Sequence, residues 1–87
     1  MNREICWAAI AWEQYLYWQR TEPKLLVKIN GLLQECARTP FNGTGKPEPL
    51  KGDKYKGYWS RRITQEHRLI YKVESNTLRI AQCGEHY

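Results

Sequence analysis

The 87 residues predict an α+β fold, two N-terminal helices packed on one face of a four-stranded antiparallel sheet. Two observations carry this. Apolar residues recur with a helical period between Leu25 and Cys36, and after Pro40 the pattern changes to short runs rich in aromatic and branched side chains, separated by three or four polar residues. Helices followed by hairpin-linked strands form two layers around one core.

Each element follows in order. Ile5-Cys6-Trp7 reads as a short opening strand, and residues from about Ala8 to Gln19 fit a helix with Trp12, Tyr15, Leu16 and Gln19 three or four apart. Ala8 and Ala9 offer no side-chain oxygen to cap its first turn. The second helix carries Leu25, Leu26, Ile29, Leu32, Leu33 and Cys36 on one stripe, opened by Thr21 and Pro23. Gly31 in its middle costs about 1 kcal/mol against Ala and suggests a close approach by a neighbour. Pro40 ends the helical half. Gly43, Gly45, Pro47 and Pro49 hold residues 42–49 in a loop, with Glu48 between two prolines that stiffen the backbone. Strands follow at about Tyr58–Ile63, Arg68–Val73 and Thr77–Cys83, joined by connections short enough to require antiparallel hairpins.

Length allows one domain, 1–87, burying roughly 60–65% of the unfolded surface. Cys6, Cys36 and Cys83 are odd in number and scattered, which supplies neither a disulfide framework nor a zinc-ligand spacing and points to a reducing cytoplasm. Two distant histidines add no metal site, and no cofactor is implied. No apolar run approaches the roughly 18 residues of a membrane span, and the N-terminus lacks a secretory layout. The net charge is +5, and it is uneven. Residues 45–87 hold nine Lys/Arg against five acids, whereas residues 1–44 hold five against four. A polyanion is expected to meet the second half, by contacts that weaken with salt.

That half also holds the groups needed to cut RNA through its own 2′-hydroxyl. Glu48 is the candidate base, Arg62 and Arg68 lie on the two arms of a short hairpin where they can clamp one phosphate, and His86 has the near-neutral pKa of a general acid. Tyr87 can stack on a base, and Lys46 and Lys51 can hold flanking phosphates. Lys54, Lys56 and Arg61 complete the expected RNA- or ribosome-facing set. Bland roles compete at several positions. Glu48 as a loop carboxylate paired with Arg62, His86 as a solvated terminal residue, His67 as part of a turn, and Trp12, Trp18 and Trp59 as core or interface residues all fit the pattern.

Trp7, the run Trp12-Glu13-Gln14-Tyr15-Leu16-Tyr17-Trp18-Gln19, Gly45-Lys46-Pro47-Glu48-Pro49-Leu50-Lys51, Trp59-Ser60-Arg61-Arg62-Ile63, Glu66-His67-Arg68-Leu69-Ile70-Tyr71 and the terminal His86-Tyr87 together resemble the YoeB type of bacterial toxin within the RelE-like superfamily. The resemblance spans nearly the whole chain. It implies a RelE-like fold and a ribosome-dependent, metal-independent endoribonuclease that cleaves messenger RNA in the ribosomal A site. It assigns the base to Glu48, transition-state cations to Arg62 and Arg68, the acid to His86 and support to Tyr87 and Lys51. It further implies a YefM-like antitoxin as partner and a homodimer. Gly84-Glu85, where basic or aromatic residues are expected, and a longer Lys51–Gly57 loop depart from the pattern. The alternative is a non-catalytic toxin of the same fold that blocks the ribosome or another target such as gyrase.

Overall fold

A computed structural model describes residues 2–84. Strand β1 covers Glu4–Trp7, helices α1 and α2 cover Ala9–Thr21 and Pro23–Arg38, and strands β2 to β5 cover Glu48–Pro49, Trp59–Arg62, Arg68–Glu74 and Thr77–Cys83. One residue, Glu22, links the helices, and Pro23 opens α2 where a missing N–H costs nothing. Ala8 stands before α1 in extended backbone with no side-chain cap, as its sequence predicts.

The sheet has five strands in the order β1-β5-β4-β3-β2, and β1 runs parallel to β5. This corrects the four-stranded antiparallel expectation twice. Short connections determine direction only for β3–β4 and β4–β5. β1 meets β5 across most of the chain, where no hairpin constrains it. The fifth strand, β2, lies in the proline-flanked segment read as loop. Glu48 pairs with Ser60 and Pro49 with Trp59. An edge position tolerates Pro49, whose missing donor faces no neighbour, and Leu50 N–H resumes the ladder by donating to Tyr58 O at 2.9 Å.

Alternation sorts the sheet into two faces. Leu69, Tyr71, Leu78 and Ile80 are buried and meet Ala11 and Trp18 of α1 and Ile29, Leu32, Leu33 and Cys36 of α2 in one core. On β5 the buried positions change parity between Ile80 and Cys83. Tyr71 pairs with Ile80 while Ile70 pairs with Gln82, so Ala81 is an extra residue, and this bulge returns Cys83 to the core. Trp18 is core as expected, and Trp59 is half-buried beside Phe41. Trp12 lies outside, 45% exposed, and stacks on Tyr15 with ring centroids 5.5 Å apart. Nothing approaches within 4 Å of where a Gly31 side chain would begin, so that glycine serves no close contact. No helix among the described residues is long and apolar enough to cross a membrane.

Candidate active site

The face of the sheet turned away from the helices carries a cleft of about 260 Å³ lined by Gly45, Lys46, Glu48, Ser60, Arg62 and Arg68. Register explains the grouping. Glu48 stands opposite Ser60, Arg62 opposite Arg68, and Ser60 and Arg62 are two apart on β3, so all four side chains share one face. Three of the six residues are cationic and one is a carboxylate, which suits a phosphodiester. Among the described residues Glu48 makes no ion pair, so its pairing with Arg62 does not form. Arg68 is held from behind, its Nη1 donating to the carbonyls of Thr64, Gln65 and His67 at 2.7, 3.0 and 3.2 Å.

Lys46 has a left-handed backbone, φ 52°, immediately after Gly45. A side chain at Gly45 would be strained by its φ of 88° and crowded, because a Cβ would lie 3.0 Å from Arg62 O and 3.2 Å from Arg61 Cβ. The cleft wall is thus pressed directly on β3.

Lys51, Lys54 and Lys56 do not line the cleft. They stand exposed on the loop between β2 and β3, which is anchored where Gln82 Nε2 donates to Tyr55 Oη at 2.8 Å. Arg61 is not exposed at all, which corrects its RNA-facing reading. Once Arg62 faces the cleft, its neighbour on a strand must face the helices. There Arg61, 0% exposed, pairs with Glu35 at 2.9 Å. The Thr44 N–H, and then Arg61, hold the Glu35 carboxyl below its ordinary pKa. Ser60, Glu35 and Tyr71 are the residues that sequence reading missed. The two-residue alternation of Trp59–Ile63 was the available signal for Ser60.

His86 and Tyr87 lie outside the described residues. The strand that leads to them is well held. Cys83 pairs with Leu69, the neighbour of Arg68; its N–H donates to Gln14 Oε1 at 2.8 Å and its carbonyl accepts the Trp18 indole N–H at 2.9 Å. His67 packs edge-on against Trp18, centroids 4.9 Å apart, in keeping with a structural role.

Two helices on one face of a five-stranded mixed sheet form a RelE-like α+β fold, and the basic, carboxylate-bearing cleft lies on the other face. The chain belongs to the YoeB-like toxins of bacterial type II toxin–antitoxin systems, whose family model matches residues 7–87. Toxin YoeB of Escherichia coli K12 is 51% identical over 84 residues, covering 97% of this chain and 99% of that protein. A YoeB/ParE toxin from Agrobacterium tumefaciens superposes with TM-score 0.88 at 48% identity, over 97% of this chain and 99% of the other. YoeB of Staphylococcus aureus, solved in a heterotetrameric YoeB–YefM complex and as a dimer, superposes with TM-score 0.89 at 43% identity over the whole of both chains.

Proposed function

We propose that this toxin is a ribosome-dependent endoribonuclease that cuts messenger RNA in the A site and so inhibits translation. The observation that carries the reading is the convergence of Glu48, Arg62 and Arg68 on one cleft of the uncovered sheet face. Glu48 takes the proton of a 2′-hydroxyl, O2′ attacks the adjacent phosphorus, and Arg62 and Arg68 stabilise the charge that builds on the phosphorane. The P–O5′ bond then breaks and His86 protonates the leaving oxygen. The products are a 2′,3′-cyclic phosphate and a 5′-hydroxyl. Side chains supply the base, the cations and the acid, so the steps require no metal. Tyr87 supports the substrate, and Lys46 and Lys51 hold neighbouring phosphates. The ribosome supplies the substrate geometry, an effective-molarity gain of several kcal/mol.

The exposed Lys54 and Lys56 contact ribosomal RNA. A YefM-like antitoxin is the expected partner, by likeness to the Staphylococcus aureus complex, with an acidic segment that folds over the basic face. The aromatic cluster of Trp7, Trp12 and Tyr15 supports a homodimer, the form also seen for the Staphylococcus aureus protein. The site of action is the cytoplasm, where ribosomes are.

Purified protein should be incubated with messenger RNA alone and on programmed ribosomes, and the cut ends mapped. Cleavage on ribosomes alone, leaving a cyclic phosphate, and a loss of about tenfold or more in Glu48→Ala, Arg68→Ala and His86→Ala supports the proposal. Uncut messenger RNA with translation still inhibited replaces it with a binding toxin.

A further inference from the structure

Arg61 and Arg62 are consecutive on β3 and face opposite sides of the sheet. Arg62 lines the cleft, and Arg61 enters the space between the sheet and the segment that follows α2. A guanidinium has five N–H donors, and five acceptors surround this one. Arg61 Nε meets Tyr71 Oη at 3.3 Å, Nη1 meets Glu35 Oε2 at 2.9 Å and Thr44 O at 3.1 Å, and Nη2 meets Asn42 O at 2.8 Å and Thr39 O. The partners close on the same segment. Tyr71 Oη donates to Pro40 O at 2.6 Å, and Thr44 N–H donates to Glu35 Oε2 at 2.5 Å. Four carbonyls between residues 39 and 44 are therefore turned inward onto one buried cation and its phenol partner.

Immediately beyond, Gly45 O accepts the Arg62 N–H at 2.7 Å, Lys46 turns left-handed, and Glu48 joins the sheet opposite Ser60. Only Lys46 and Pro47 separate the fastened segment from Glu48, and a proline leaves little slack. We propose that Arg61 is a positioning residue for the cleft, whose buried guanidinium fastens residues 39–45 and thereby sets Lys46 and Glu48 in place against Arg62. This role rests on the catalytic reading above and deepens it. Arg61 touches no RNA. It acts through the segment, which has no ladder of its own before β2 and is shaped chiefly by the donors of this side chain, with Tyr71 and Glu35 beside it.

The test compares Arg61→Lys, which keeps the charge and loses the fork, with Tyr71→Phe, which keeps the ring and loses the hydroxyl that joins Arg61 to Pro40 O. Cleavage of messenger RNA on programmed ribosomes gives kcat and KM, amide exchange reports residues 39–48, and thermal melting confirms folding. In Arg61→Lys, kcat falls by about tenfold or more, since a small misplacement of a catalytic group is costly. KM rises by a smaller factor than kcat falls, because, of the cleft groups the segment sets, only Lys46 is a phosphate contact. Tyr71→Phe moves kcat in the same direction by a smaller factor, and faster exchange is confined to residues 39–48. Wild-type kcat in folded variants overturns the positioning role, as does a rise in KM with kcat unchanged, the sign of a substrate contact. If Arg61→Lys does not fold, Tyr71→Phe alone decides by the same criteria. A wild-type chain that fails to cleave refutes the catalytic reading and the positioning role with it. Cleavage by the wild type and equally by the variants refutes the positioning role alone.

Discussion

Trp18 shows how much one side chain does here. Its indole N–H satisfies the buried Cys83 carbonyl, its ring packs in a T-shape with His67 of the β3–β4 turn, and its rim leaves no room beyond hydrogen at Gly84, where a Cβ would fall 2.6 Å from Nε1. Trp18→Phe keeps most of the apolar area and leaves that carbonyl without its donor. It should destabilise the fold by about 1–3 kcal/mol, read as a lower denaturant midpoint, and an unchanged midpoint would show that the indole hydrogen bond contributes nothing. At this scale sequence reading separated the useful residues from the bland ones only in part. Glu48, Arg62 and Arg68 were singled out by their chemistry, and the structure brings them to one cleft. Arg61 was misread because arginine is rarely buried without partners, and its partners lie 10 to 26 residues away.

The helices differ in how plainly they are written. α2 has a continuous apolar stripe and a proline at its start, and its buried residues Ile29, Leu32, Leu33 and Cys36 were read from spacing alone. α1 buries a narrower line, Ala11, Gln14 and Trp18, and starts without a cap. Ala8 is exposed and already extended, so Ala8→Asp should let a carboxylate accept the free N–H groups of the first turn. A gain of about 1 kcal/mol is expected, a rise of roughly 4–8 °C in melting temperature for a domain this small. A flat or lower melting temperature would mean that the N-terminal turn is constrained by β1 instead. β2 was not legible, because two residues show no period and both prolines argue for loop.

For the molecule as a whole, charge and topology act together. Of the nine Lys and Arg in the second half, Lys46, Arg62 and Arg68 surround one cleft while the helical half covers the opposite face. Under the proposed function the Arg62–Arg68 clamp, Lys46 and Lys51 meet three phosphates, so the affinity for a non-cleavable single-stranded oligonucleotide should fall with salt, with a log–log slope near about −2. Lys46→Ala should flatten that slope by about 0.7, measured by fluorescence titration over a range of KCl. A slope indifferent to Lys46 would place the phosphates outside the cleft.

The sequence by itself determined the two helices and four of the five strands, that the basic groups gather after Pro40, and which residues could act on a phosphodiester, because periodicity, proline and side-chain chemistry are local properties. Tertiary structure decided the rest. Pairing across the chain made β1 parallel to β5 and drew Glu48 into the sheet, and register set Glu48 opposite Ser60 and Arg62 opposite Arg68. Alternation states that Arg61 and Arg62 face opposite ways. Only the packing of two helices against one face determines which of the two arginines is buried.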